Sequence, residues 1–396
     1  MKFKSLATLS LAVSIAILPS AGQTFAAPQI DSNHRVDSST EAKNVQKGEL
    51  VVTMKPGKSL SGKELNQLGA TVVDDHSNVV KTQLKVLKVG NVDAVLKALK
   101  NNPNVEYAEP NYTFNAAFTP DDTLYSDQYG PQNTSTPAAW DMTFGDSSQE
   151  IAVIDTGVYY DHPDLNDKTI LGYDFAQNDN DPKDLNGHGT HVAGTAAAET
   201  NNATGVAGMA PETKVLAVRA LGANGSGSLN DIADAIRYSA DAGAEVINMS
   251  LGCDCDSQTL EDAVNYAWNS GSVVVAAAGN DGVSTTFEPA SYENVIAVGA
   301  VDSNNKVAYF SNYGSWVDVT APGVDIVSTV LRGKYDSYSG TSMASPHVAG
   351  LAGLLASQGR SNTEIRTAIE QTADPINGTG SYFEHGLINS YHAVNH

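Results

Sequence analysis

The chain has 396 residues and a formal net charge of −22, enough length for more than one domain and a sizeable core. Charge is divided unevenly: residues 1–117 hold 13 Lys+Arg against 10 Asp+Glu, and residues 118–396 hold 10 against 35. So acidic a larger part argues against nucleic acid or anionic membrane as a partner, and suits either calcium or a surface adapted to salt or pH.

Lys2 and Lys4 precede an apolar stretch from Leu6 to Leu18, and small residues follow up to Ala26 and Ala27. This is the layout of a secretory signal peptide over residues 1–27, and the apolar run is shorter than the ~20 residues a membrane-spanning helix needs. Export, with no membrane anchorage afterwards, is expected. Residues 28–48 are polar and aperiodic and read as a flexible lead-in.

A small unit is expected over residues 49–117. Glu49–Met54 reads as a strand, Ser61–Leu68 as a helix after a Pro-Gly break, and Thr71 and Val79–Val86 flank paired strands. Val92–Lys100 reads as a second helix, and Val105, Tyr107 and Ala108 begin a last strand. The β-α-β-β-α-β order is the ferredoxin-like α+β plan.

From Phe118 to His396 the texture changes to apolar runs alternating with Ala- and Gly-rich segments, which implies an α/β domain with a mostly parallel sheet. Ile151–Ile154, Val215–Val218, Val246–Met249, Val273–Ala277 and Val295–Val298 read as strands covered on both faces, with Asp231–Ala242 as a helix between them. Asp155, Ser250 and Asn280 follow the carboxyl ends of such strands, where an open α/β sheet places its site.

Cys253 and Cys255 are the only cysteines. Export favours a disulfide closing a very short loop, with free thiols as the alternative; a metal site would need further ligands that Asp254 and Asp256 supply poorly.

Three short segments carry chemistry: Asp155 after its apolar run, His188 in Gly-His-Gly-Thr-His, and Ser342 in Gly-Thr-Ser-Met-Ala-Ser-Pro. A hydroxyl is a poor nucleophile at neutral pH, so acyl transfer needs an imidazole to take its proton and a carboxylate to orient that imidazole. Ser342 opens a segment through Leu355 that reads as a buried helix, with Pro346 in its first turn. His191, one turn beyond His188, reads as a packing histidine.

The order Asp, His, Ser and the extended string from Gly340 to Gly350 resemble the subtilisin-like serine proteases, the thermitase-like branch in particular. The resemblance implies a three-layer subtilisin-like domain at residues 118–396, with residues 49–117 as an inhibitor-type propeptide and folding aid that is cut near Asn115 to Phe118. It implies a monomeric secreted endopeptidase that acts on polypeptides through an acyl-enzyme. Asp155, His188 and Ser342 are then the triad, and Asn280 an oxyanion donor beside the Ser342 N–H. Gly225, Ser226 and Gly227 would pair with the substrate as an added strand, and Ser250, Leu251 and Gly252 would wall the first specificity pocket.

Structural calcium is the implied cofactor. A tight site would join Asp122, Asp164, the Asn202 side chain and the carbonyls of Thr200, Thr204 and Val206. A second would use Asp174, Asp179 and Asp181, with Gln177 where an acid would be expected. A third would combine the carbonyls of Ala290, Tyr292 and Val295 with Asp318. Without the family, such acidic loops read as solvated surface. Two other functional classes compete: a catalytically silent binding protein, which loss of a triad member would mark, and a serine esterase or transpeptidase, which differs in acceptor and pocket.

Overall fold

The structure, a computed structural model, describes residues 45–75, 83–113 and 118–396. The proposed signal peptide, most of the lead-in, the start of the Val79–Val86 strand and the cleavage segment all lie wholly or largely outside these residues. The chain divides into two compact units, Met1–Asn115 and Ala116–His396.

The first unit follows the expected order: β1 (Val45–Met54), α1 (Gly62–Leu68), β2 (Thr71–Asp74), β3 (Leu84–Lys88), α2 (Val92–Leu99) and β4 (Val105–Tyr112). Its sheet runs β2-β3-β1-β4 with every neighbouring pair antiparallel. β1 starts at Val45, so residues 45–48 belong to the strand and not to a flexible lead-in. Pairing of Val45 with Tyr112 extends it past a register shift. Ser61 is the cap of α1 rather than its first residue: its hydroxyl accepts from Glu64 N while the Glu64 carboxylate accepts from Ser61 N. Leu50, Val52 and Met54 alternate onto one face of β1 and pack with Leu87, Val95, Leu99 and Val105.

The second unit opens with two short helices, α3 (Gly130–Asn133) and α4 (Thr136–Trp140). Then come β5 (Glu150–Asp155), β6 (Thr169–Asp174), α5 (His188–Ala197), β7 (Lys214–Arg219), α6 (Leu229–Asp241), β8 (Val246–Met249), α7 (Gln258–Asn269) and β9 (Val273–Ala277). The chain ends with β10 (Ile296–Val301), β11 (Val319–Pro322), the hairpin β12 (Ile326–Val330) and β13 (Lys334–Tyr338), α8 (Thr341–Ala356), α9 (Asn362–Gln371), β14 (Gly386–Leu387) and α10 (Ser390–Asn395). Eight strands form one sheet in the order β14-β11-β10-β9-β8-β5-β7-β6, parallel throughout.

The strands are apolar throughout because both faces are covered. Along β5, Ile151 and Val153 join the core beneath α5, α8, α9 and α10, while Ala152 and Ile154 join the core beneath α6 and α7. From β5 the chain runs outward to β6, returns to β7, and then crosses to β8 on the other side of β5. Strand order therefore reverses beside β5, and the crevice outside the carboxyl ends of β5 and β8 opens there.

Candidate active site

Asp155 ends β5 and is fully buried, a position that costs several kcal/mol for an unpaired carboxylate. It accepts from Thr156 N at 2.7 Å and faces His188, whose Nδ1 lies 2.8 Å from Oδ1 and 3.0 Å from Oδ2. His188 is the first residue of α5, and every other residue of that helix is buried. Burial disfavours the imidazolium, but the Asp155 charge, its hydrogen bond and the Asp184 charge outweigh that cost and raise the ring above its ordinary 6.5. Residue 189 must be glycine: a Cβ there would lie 2.2 Å from Gly157 O and 3.0 Å from the Asp155 side chain.

Ser342 is the second residue of α8, where every other residue is buried. Its main-chain N–H is one of the unpaired donors at the helix start. Pro346 sits in the second turn, not the first as expected, and lacks the N–H that would have bonded Ser342 O. Ser250 Oγ donates to that carbonyl instead at 2.8 Å, and Ser342 Oγ donates to Ser250 O at 3.2 Å. This reciprocal pair joins the start of α8 to the end of β8.

Asn280 follows β9. Its side-chain oxygen accepts from Thr341 N at 2.8 Å and from Thr341 Oγ1 at 3.0 Å, which leaves the amide NH₂ as the free end. A Cβ placed on Gly340 would lie 3.6 Å from both Asn280 Nδ2 and Ser342 N, so the two donors flank a common point. His188, Asn280 and Ser342 line one cleft.

Sequence reasoning missed the support beneath His188. Asp184 is buried and accepts from Asn186 N, Gly187 N and Thr190 N at 2.8, 2.9 and 3.0 Å, and from the hydroxyls of Thr156 and Thr190 at 2.9 and 2.5 Å. Thr156 Oγ1 in turn accepts from Gly189 N. The first turn of α5 is thus tied to the end of β5. An Asp a few residues before a Gly-His pair is the signal that could have found it. His191 behaves as a packing histidine: it is fully buried, stacks on Tyr338 at 4.5 Å, bonds Ile326 O through Nε2, and is held down to about 4 by burial.

A second cleft of about 670 Å³ meets the first at His188. Gly225, Ser226, Gly227, Ser250, Leu251 and Gly252 all line it, together with Leu221, Leu229, Ile232 and Leu260. Cys253 and Cys255 line it too, a close pair with Cα atoms 5.3 Å apart.

The expected metal ligands behave differently from one another. Asp122 and Asp164 are both buried, and burial raises both carboxyls above their ordinary range. Asp164 accepts from Asn202 Nδ2 and Val206 N, Asp122 Oδ2 accepts from Asn201 N, and Asp122 Oδ1 is buried without a partner. In the loop between them Asn201 and Ala203 take left-handed backbone angles, φ 62° and 58°, that non-glycine residues rarely adopt. Among the described residues no three acidic, His or Cys side chains cluster, so a cation here would lean on carbonyls and an amide. Asp174, by contrast, is buried against Arg219 Nη1 at 2.8 Å, and the Gln177 side-chain amide lies against the same guanidinium, which its oxygen can accept from once the amide is turned. Asp179 and Asp181 stay at the exposed edge, Asp181 accepting from Tyr160 OH. Asp318 accepts from Ala297 N at 2.7 Å and Arg366 Nη2 at 3.3 Å, and Tyr292 O accepts from Val295 N. At these two places an arginine already faces the carboxylate.

A model of the subtilase family matches residues 146–388, and a model of the fervidolysin N-terminal prodomain matches residues 31–111. The thermophilic serine proteinase of Bacillus sp. (strain AK1) is 66% identical over 400 residues, covering all of both chains. Thermitase of Thermoactinomyces vulgaris is 56% identical over 278 residues, 70% of this chain and 99% of thermitase. A halolysin-like extracellular serine protease of Natrialba magadii is 44% identical over 301 residues, 74% of this chain and 56% of that protein. Among solved structures, a protease of Pseudoalteromonas arctica aligns with a TM-score of 0.66 at 35% identity, covering 70% of this chain and 99% of that one. The chain therefore belongs to the subtilase family: it is a thermitase-like serine endopeptidase carrying an N-terminal prodomain.

Proposed function

We propose that Ser342 is the nucleophile, His188 the general base and Asp155 the residue that orients and charges the imidazole, in a secreted enzyme that processes its own precursor. The observation that carries this reading is that α5 and α8 are buried everywhere except at His188 and Ser342, with the buried Asp155 carboxylate against His188 Nδ1. The Ser342 hydroxyl leaves Ser250 O and turns to His188 Nε2 as substrate arrives; such bonds are often loose before the substrate complex forms. The oxygen attacks the peptide carbonyl, His188 takes its proton, and the oxyanion forms between Asn280 Nδ2 and Ser342 N–H. His188 then protonates the leaving amine, and water hydrolyses the acyl-enzyme by the same steps in reverse order of roles.

An extended peptide lies between Gly225–Gly227 and Ser250–Gly252, pairing through its backbone. A Cys253–Cys255 disulfide stiffens the second wall, residues 118–396 form the peptidase domain, and residues 49–117 act as its inhibitor until cleavage near Asn115 to Phe118. The Lys2 to Ala27 stretch supports secretion, as does the extracellular relative. A monomer meets all these requirements. The test is the Ser342→Ala chain, which must remain at full length while wild type trims itself and is inactivated by phenylmethylsulfonyl fluoride; trimming of the variant overturns the assignment.

Calcium fits the first of the three expected sites. Asp122, Asp164, the Asn202 side chain and the carbonyls of Thr200, Thr204 and Val206 would hold it, and its charge would neutralise two carboxylates that burial penalises. A chelator should lower the melting midpoint of wild type by several degrees. Asp164→Asn should melt low with or without chelator, and an unchanged wild-type midpoint rejects the site.

A further inference from the structure

The chain has three Asn-Gly pairs, Asn186-Gly187, Asn224-Gly225 and Asn377-Gly378, and all three asparagines are exposed. An asparagine followed by glycine is open to an intramolecular reaction in water, because no side chain keeps the next backbone nitrogen away from the carboxamide. That nitrogen attacks Cγ: a C–N bond forms, the Cγ–Nδ2 bond breaks, and ammonia leaves. Water then opens the cyclic imide at either carbonyl, giving aspartate or its β-linked isomer, which lengthens the backbone by a carbon. The nitrogen must be free to lose its proton and the carboxamide free to turn toward it.

Two of the pairs are held. Gly187 N donates to Asp184 Oδ1 at 2.9 Å, and the Asn186 side chain is fixed at both ends, Oδ1 accepting from His188 N at 3.2 Å and Nδ2 donating to Ala223 O at 2.9 Å. Gly225 N donates to Gly222 O at 2.9 Å, and Asn224 Oδ1 accepts from Ser226 N at 3.1 Å. At Asn377 neither restraint is present: among the described residues no acceptor meets Gly378 N and no partner meets the Asn377 carboxamide. Asn224 and Asn377 are both exposed, so hydrogen bonding is what sets them apart.

The fold resists a protective side chain at position 378. Gly378 takes φ 112°, and a Cβ on it would lie 3.0 and 3.1 Å from Cε1 and Cζ of Phe383. Gly378 O also accepts from Tyr382 N at 2.8 Å and Ser381 N at 3.0 Å, which holds the glycine against that ring. The turn itself is closed by Thr379 N donating to Ile376 O at 3.1 Å and Ile376 N donating to Thr379 Oγ1 at 3.0 Å. Phe383 is buried with Ala278 and Val317, and Ile376 packs against them. A longer backbone between Ile376 and Thr379 disrupts both closing bonds and loosens the cover over Phe383.

We propose that Asn377 is a site of spontaneous deamidation and isomerisation in the folded protein, and that this reaction limits the protein's lifetime when hot, because the turn over Phe383 demands the glycine that makes it possible.

The test ages the folded Ser342→Ala chain at mildly alkaline pH and a temperature below its melting midpoint. The three asparagines are then mapped by mass spectrometry, with fragmentation that tells aspartate from its β-linked isomer. The share of acid within each peptide is the readout, so any self-digestion leaves it intact. Acid should form at Asn377 about tenfold or more faster than at Asn186 and Asn224, where hydrogen bonds must open first. The aged chain should melt lower. The same chain carrying Asn377→Gln, whose longer side chain closes a less favourable ring, should keep its midpoint over the same period. Equal rates at the three asparagines, or faster conversion at Asn186 or Asn224, overturn the site. A midpoint that falls as far with Asn377→Gln as without it overturns the effect on lifetime.

Discussion

The two units bury different kinds of side chain. Among the described residues of the small unit, every fully buried residue is apolar and no charged side chain is buried, the Thr53 hydroxyl oxygen being a buried polar atom without a partner. The large unit buries the carboxylates of Asp122, Asp155, Asp164, Asp174, Asp184 and Glu288, together with Arg219 and Lys168. A buried charge is tolerated only when paired or richly hydrogen-bonded, so each of these marks a place where the fold holds a charge in a defined geometry. The small unit's interior can do no more than specify a shape; the large unit's interior also does chemistry.

The largest way to break this contrast is at the proposed triad. Asp155→Asn keeps the size of the buried side chain but removes its charge and offers His188 the wrong partner for its Nδ1 proton. Loss of about 10⁴-fold in kcat is expected, with the melting midpoint little changed; a loss below tenfold would mean that the buried charge is not there for catalysis. In the small unit the equivalent injury is apolar. Leu50→Ala, in a Ser342→Ala chain that cannot process itself, should cost about 2–5 kcal/mol by loss of burial and the cavity left behind. Hydrogen exchange should then rise over residues 45–113 alone. Protection that stays unchanged there would show that the apolar core is not what specifies the unit.

The smallest effect sharpens the comparison within the large unit. The Asp155 and Asp184 charges raise the His188 pKa above 6.5, so the basic form needed for attack accumulates only as pH rises through that raised value. The ascending limb of kcat/KM should therefore have its midpoint above pH 6.5. Asp184→Asn removes one stabilising charge from the imidazolium and should move that midpoint downward, toward acid. A limb that stays in place would restrict Asp184 to anchoring the first turn of α5.

What could be read along the chain was whatever is carried by contiguous residues. Apolar runs such as Val246–Met249 and Val273–Ala277 coincide with β8 and β9 because strands covered on both faces need no polar positions. Asp155, His188, Asn280 and Ser342 were legible because each sits where a strand ends or a helix begins, inside a string of small residues that such close packing demands. Short strands such as β14, with two residues, carried no periodic signal, and β6 was missed because this edge strand, with Ile170 and Leu171 exposed and Tyr173 half-buried, lacks a run of buried apolar residues.

The sequence by itself determined the fold class, the order of the proposed catalytic residues and the division into an N-terminal and a C-terminal unit. Only the tertiary structure decided which neighbours those residues have. Pro346 frees a carbonyl that Ser250 takes, Asp184 ties α5 to β5, and Arg219 and Arg366 face carboxylates expected to meet calcium. Each of these joins residues far apart in the chain. Hydrogen bonds, ion pairs and packing act across a few ångströms, and the parallel sheet, whose crossovers bring distant segments to one edge, sets those distances.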